Sequence, residues 1–369
     1  MPHVSANTTI FDADDYTYYL PREIGSSPSP RSCSIELSSA DTGKLSGRAE
    51  ITSCQKGRLW SVTVRSSGSD RQHNMATLDS NRPKDLPTNG YTTRANEDFP
   101  VQIDDISNTL SEIIFDMESP TTGLVVVSGA TNSAKSIVTR ALISQYLNDD
   151  RWLGKKMRSS KRRPHLVTYE DPIEALYYDH TKTADSFGVD YTPQEAESDR
   201  TSLAKSLLSA KRQSPSVFYI GEVRSAADWL PIIEFAATGH LVITTSHAAS
   251  LAEAFNRILR SISAKEPTER RYAAQQIRAI VHQIPIRSND TLVQVPSVWR
   301  NNHRGVSSMI SEGLSSILPS SNLANIEDQY CFGRTAMLEL LLRKKDDATR
   351  NTLLRELSPI TRDCDLQGR

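Results

Sequence analysis

The sequence predicts an α/β protein built on a mainly parallel sheet, and two observations carry that prediction. Four short apolar runs, Leu124–Val127, Leu166–Tyr169, Val217–Ile220 and Leu241–Thr245, are rich in β-branched or aromatic residues. Each suits a strand buried on both faces. Stretches of helical periodicity lie between them, at Ile137–Leu147, Leu203–Arg212 and Ala226–Ala237. Strands alternating with helices give a parallel sheet covered on both sides.

The rest of the chain divides around that core. Residues 25–34 (GSSPSPRSCS) read as a loop and residues 79–99 as a linker rich in Pro, Asn and charge. Between them, Arg48–Arg65 reads as a hairpin turning near Lys56-Gly57. A small α+β N-terminal domain with its linker is therefore expected over 1–99, the α/β core over 100–265, and a mostly helical region over 266–369. The helical expectation rests on Tyr272–Gln283 and Ala336–Arg343.

Composition narrows the function classes. The 369 residues carry a formal net charge of -1, so no global field draws the chain to nucleic acid. The one basic run, Lys155–Arg163, reads as a solvated loop, and nucleic acid is not an expected partner. No run of about 18 apolar residues could span a bilayer, and the N-terminus lacks the basic and apolar regions of a secretory signal. A cytoplasmic protein is expected. Cys33, Cys54, Cys331 and Cys364 form no C-x-x-C pair, which points to reduced thiols rather than zinc or a disulfide scaffold.

Residues 123–136 read GLVVVSGATNSAKS. A buried strand ends at Gly129, a loop follows, and Lys135-Ser136 open a helix, which is the context of a phosphate-binding loop. Backbone N–H groups from Gly129, Thr131, Asn132, Ser133 and Ala134 would face phosphate oxygens at the positive end of the helix. Lys135 would reach the β- and γ-phosphates of a nucleotide, and Ser136 would place its hydroxyl on Mg²⁺. The pattern G-x-x-x-x-G-K-[ST] asks for glycine where this chain has Ala134. If that position needs φ > 0, alanine costs about 1–2 kcal/mol there.

Two more strands deliver carboxylates. HLVTYEDPIE (165–174) brings Glu170 and Asp171 to a strand end, and SVFYIGEVR (216–224) does the same for Glu222. Ligands of open parallel sheets bind beyond the carboxyl ends of the strands. There, one acid can orient or deprotonate an attacking water while another holds water on Mg²⁺. In TGHLVITTSH (238–247), His240 and His247 bracket a strand and stand roughly 20 Å apart if it is extended. His247, at the carboxyl end, can contact phosphate or sense its loss.

Together these segments resemble the secretion ATPase superfamily, which includes the type II secretion and type IV pilus ATPases and the conjugation and Dot/Icm-type type IV secretion ATPases. The likeness rests on four boxes in order: GATNSAKS, VTYEDPIE, RQSPSVFYIGEVR and TGHLVITTSHAAS. It implies a RecA-like P-loop NTPase fold with ATP and Mg²⁺ as cofactors. By position, Glu170 matches the catalytic glutamate, Glu222 the Walker B glutamate, Arg224 the arginine after it, and His240 and His247 the His-box pair. Mg²⁺ would rest on Ser136 and on Glu222, partly through water. The resemblance further implies a homo-oligomeric ring, expected to be a hexamer, that engages a membrane platform protein and so lies peripherally at the inner membrane. Hydrolysis in such rings moves domains and drives pilus dynamics or export. The departures are Ala134, Ser214 and Ser216 (RQSPS, where family members carry aspartates), and the missing C-x-x-C module. Ala134, Ser214 and Ser216 leave a second reading, a degenerate paralogue that assembles with an active ATPase, while the absent module shifts the likeness toward the retraction and conjugation branches.

Overall fold

The computed structural model describes residues 8–13, 16–21, 31–39, 43–54, 59–66, 72–78, 103–115, 121–131, 133–148, 164–171, 190–195, 202–262, 267–288, 291–301 and 331–366. The linker 79–99, the turn at Lys56-Gly57 and the basic run Lys155–Arg163 lie outside the described residues. The chain forms two compact units, one of Met1–Gly90 with Leu153–Gly221, the other of Tyr91–Trp152 with Glu222–Arg369.

In the first unit, six antiparallel strands follow one another in sequence order from Thr8–Ala13 to Gln72–Leu78. The expected hairpin is there: Gly43–Cys54 pairs with Leu59–Ser66, and Arg48 stands opposite Arg65. The loop expected over 25–34 ends earlier, because Arg31–Ser39 is already a strand paired to Gly43–Cys54. The same unit holds three parallel strands, with His165–Glu170 between Val217–Ile220 and Asp190–Glu195. The helix Leu203–Gln213 is capped by the Ser202 side chain, which accepts from the Lys205 N–H, and ends at Ser214 in the left-handed conformation.

The second unit contains the strand that leads into the phosphate loop. Gly123–Gly129 lies between two parallel neighbours, Leu241–His247 and Ile277–Gln283, and Gly129 is in register with His247 on one side and Gln283 on the other. Three strands thus end on one line. Ser297–Arg300 and Cys331–Phe332 continue the sheet antiparallel beyond Ile277–Gln283. Every residue of Gly123–Gly129 is buried, and each valine so buried contributes about 1.5–3 kcal/mol. The helix Leu251–Ile262 buries Leu251, Ala254, Phe255, Ile258 and Ile262, an i, i+3, i+4 stripe, and Phe255 meets Trp299 edge-on at 4.6 Å. The helix Ile103–Phe115 has its last carbonyls satisfied by buried arginines: Arg278 Nε donates to Ile114 O at 2.9 Å and Arg300 Nη1 to Ile113 O at 3.4 Å. Those carbonyls have no partner within their own helix.

The helical reading of Tyr272–Gln283 needs correction. The helix Pro267–Gln275 stops, and Ile277–Gln283 is a strand buried along its whole length. An apolar run covered on both faces carries no alternation, so its periodicity does not separate strand from helix. The stretch Ala226–Ala237 likewise begins with a 3₁₀ turn, Ala226–Asp228, before the helix Trp229–Ala236. Among the described residues, no helix is long and apolar enough to cross a membrane.

Candidate functional site

The loop after Gly129 closes on a single carbonyl. Ala130 O accepts from Ser133 N (3.3 Å), Ser133 Oγ (2.8 Å) and Lys135 Nζ (2.6 Å). Gly129 makes this possible, because a Cβ there would stand 2.5 Å from both Ser133 Oγ and Gln283 O. Ala134 has φ 58°, so the loop takes the left-handed turn that glycine would supply, at a cost of about 1–2 kcal/mol. The helix Lys135–Asn148 starts directly from that turn, with Val138 N donating to Ala134 O at 3.0 Å. Its first turn carries no acidic residue, leaving the positive helix end available to an anion. Ser136 is half-buried beside buried Lys135, Thr131 is exposed, and Asn132 lies outside the described residues.

A chain of polar side chains runs across the loop mouth. Lys135 Nζ stands 3.5 Å from His247 Nδ1. His247 Nε2 is 3.0 Å from Glu222 Oε1, and Arg224 Nε is 3.2 Å from Glu222 Oε2. An ammonium only donates and a carboxylate only accepts. One proton on Nε2 therefore lets the imidazole donate to Glu222 and accept from Lys135 at once. His247 and Glu222 are partly open to solvent, with side-chain exposures of 43% and 26%, so an incoming ligand can compete for them.

Glu170 ends its strand in the first unit and is buried. Gly221 packs against it: a Cβ at Gly221 would lie 3.2 Å from Glu170 Cγ, and Gly221 N donates to Tyr169 O at 2.9 Å. Ser216 Oγ accepts from His165 N at 3.2 Å, and Ser214 holds φ 48°, so both serines have local backbone roles. His240 is remote from the loop mouth, at the opposite end of Leu241–His247. It stacks on Phe235 at 4.5 Å, has Nδ1 2.9 Å from Thr238 Oγ1, and its carbonyl accepts from Gly123 N at 3.0 Å. The structure thus brings Lys135, His247, Glu222 and Arg224 together and sets His240 apart.

Three residues at this edge were missed in the sequence. Ser128 Oγ lies 3.0 Å from His282 Nδ1, and buried Gln283 stands in register with Gly129. The available signal was the apolar run IRAIV ending in His-Gln, which mirrors LVVV ending in Ser-Gly.

A family model described as Type II/IV secretion system protein matches residues 103–352. The chain is 32% identical over 150 residues to the Type IV pilus ATPase PilU of Pseudomonas aeruginosa, covering 41% of this chain and 34% of that protein. It is 28% identical over 166 residues to the Type IV pilus retractation ATPase PilT of the same organism, covering 45% of this chain and 43% of that one. The chain spans less than half the length of these curated relatives. The X-ray structure of the Legionella pneumophila ATPase DotB matches with a TM-score of 0.50 at 16% identity, over 95% of this chain and 92% of that one. The fold is the mixed α/β, RecA-like fold of the secretion ATPases. With the family model covering residues 103–352, the chain belongs to the Type II/IV secretion system protein family.

Proposed function

We propose that this chain is an ATP-hydrolysing motor subunit of a bacterial secretion, conjugation or type IV pilus system. The observation that carries the reading is the Lys135–His247–Glu222 row across the mouth of the loop. A γ-phosphate entering there would replace Ala130 O as the acceptor of Lys135 and take up the charge that Lys135 now shares with His247. Hydrolysis forms a bond from water oxygen to the γ-phosphorus and breaks the bond to the β,γ-bridging oxygen, releasing ADP and phosphate. In this assignment Glu170 activates the water, as the family pattern implies, and Glu222 would help hold Mg²⁺ through water. Lys135 neutralises charge developing on the phosphates. His247 reports whether the γ-phosphate is present by exchanging its contact with Lys135, and Arg224 holds the Glu222 carboxylate.

Mg²⁺ fits this donor set. It takes one or two protein groups together with phosphate oxygens and water, which matches Ser136 and a water-bridged Glu222. The described residues contain no cluster of three or more His, Cys, Asp or Glu able to cage a metal. Ser136, with Glu222 through water, would hold Mg²⁺, which when bound would offset the negative charge of the phosphates. The working form is proposed as a hexameric homo-oligomer, with residues 1–99 as the N-terminal domain, 100–265 as the motor core and 266–369 as a C-terminal region. A membrane platform protein is its proposed partner, holding a cytoplasmic ring at the inner membrane.

Glu222→Gln tests the reading. It keeps the size and hydrogen-bonding reach of the side chain but removes its charge. Fluorescent ATP should still bind, while phosphate release falls by about 10²–10³-fold. Wild-type turnover in this variant would refute the role of Glu222. The second reading, a non-catalytic assembly partner, draws on the strained Ala134 and on the engagement of Lys135 by Ala130 O. It predicts no saturable rise in melting temperature with MgATP.

A further inference from the structure

The phosphate loop leaves its strand immediately after Ser128, and Ser128 is tied sideways to His282. Ser128 Oγ donates to Val281 O at 3.0 Å. A hydroxyl has one proton, so its second contact, 3.0 Å to His282 Nδ1, must be one in which the imidazole donates. Both residues are buried, with Ser128 at 0% and His282 at 1% exposure. Burial holds His282 neutral, its pKa lowered to about 4, and the charges of Arg334 and Lys135 act in the same direction. The Ala249 backbone and Glu253 act on the ring in the opposite sense. The imidazole therefore sits against the strand that leads into the phosphate loop.

The segment that follows His247 is fixed at its far end. Ala249 N donates to Glu253 Oε2 at 2.6 Å and Glu253 N to Ser250 Oγ at 3.1 Å, where Ser250 caps the start of the helix Leu251–Ile262. Ala248 N reaches Gly129 O at 3.4 Å. This contact joins the loop's root to the residues just after His247.

We propose that His282 is a positioning residue for the phosphate loop: its Nδ1–H bond to Ser128 fixes the loop's root, and the root steadies the segment after His247 through the Ala248 N–Gly129 O contact. His282 touches neither nucleotide nor the reacting atoms in this account and acts through Ser128. A neutral ring with one donor suits the task. Nδ1–H is committed to Ser128, and Nε2 brings no second positive charge to a site where Lys135 must meet phosphate. The functional meaning rests on reading the loop as a nucleotide site, but the geometry can be tested without nucleotide.

The experiment is hydrogen exchange on the full nucleotide-free chain, comparing wild type with His282→Leu, His282→Asn and Ser128→Ala. Asparagine can place an amide N–H near the position of Nδ1, whereas leucine cannot. Leucine and Ser128→Ala should speed exchange in peptides covering 123–136 and 241–250 by about three- to tenfold, the range expected for one buried hydrogen bond. Asparagine should stay within about twofold of wild type, and peptides covering 165–170 should not change in any variant. Unchanged exchange in both His282→Leu and Ser128→Ala would overturn the proposal. So would equal acceleration by leucine and asparagine, or acceleration spread evenly over the chain. If His282→Leu does not fold, the Ser128→Ala arm decides. A wild type that fails to bind MgATP would refute the proposed function and leave this measurement intact.

Discussion

Replacing Ala134 by glycine asks what the left-handed turn before Lys135 costs. Alanine at φ 58° pays about 1–2 kcal/mol that glycine does not. Glycine gives back about 0.5–1 kcal/mol through the greater freedom of its unfolded chain. The balance is a gain of about 0.5–1 kcal/mol, which in a protein of this size raises the melting temperature by about 1 °C. The assay is calorimetry of the nucleotide-free chain, with Ser214→Gly as a matched case because Ser214 also sits at positive φ, 48°. Both variants should melt higher, but only Ala134→Gly should also alter affinity for MgADP, since only its methyl group lies in the loop. A lower melting temperature for Ala134→Gly would refute the left-handed assignment. A change in MgADP affinity for Ser214→Gly would refute the claim that its role is local.

Other consequences are open to measurement. Arg278→Met keeps the bulk of the side chain but strips donors from Ile114 O and Thr122 O; urea unfolding should show a loss of about 2–4 kcal/mol. By contrast, Glu112→Gln breaks the partly exposed pairs to Arg343 and Lys344 and should cost less than about 1 kcal/mol in the same assay. His165 and His282 are both held neutral by burial, with pKa lowered from 6.5 to about 4. Between these values the unfolded chain binds more protons than the folded one, so stability is full above about pH 6.5 and is lost as pH falls towards 4. The loss should approach about 3 kcal/mol per histidine near pH 4, and His165→Gln should flatten the melting-temperature profile across that window.

The elements legible in the sequence were those whose pattern has one physical explanation. Val217–Ile220 was read to the residue, because a short β-branched and aromatic run between polar flanks fits little else. The Lys135 helix and the strand before it were fixed by the glycine and the Lys-Ser pair. Ile277–Gln283 was misread because a strand buried on both faces loses its alternation. The helix Ile103–Phe115 was not recognised: its C-terminal carbonyls find their partners in Arg278 and Arg300, more than 160 residues away in sequence, a signal no local window contains. Within the site, the contact of His247 with both Lys135 and Glu222 follows from the alignment of strand ends, which the sequence implied. The role of His282 depends on which strand lies beside Gly123–Gly129, and the sequence pattern of that neighbour suggests a helix instead.

The measurement to make first is MgATP hydrolysis by the purified chain beside Lys135→Ala. Turnover in the wild type that disappears in Lys135→Ala, with both proteins folded, is the result expected if the loop after Gly129 binds the phosphates of a nucleotide that is hydrolysed. Equal turnover in the two proteins, or a wild type that neither hydrolyses MgATP nor gains melting temperature in its presence, would contradict that account.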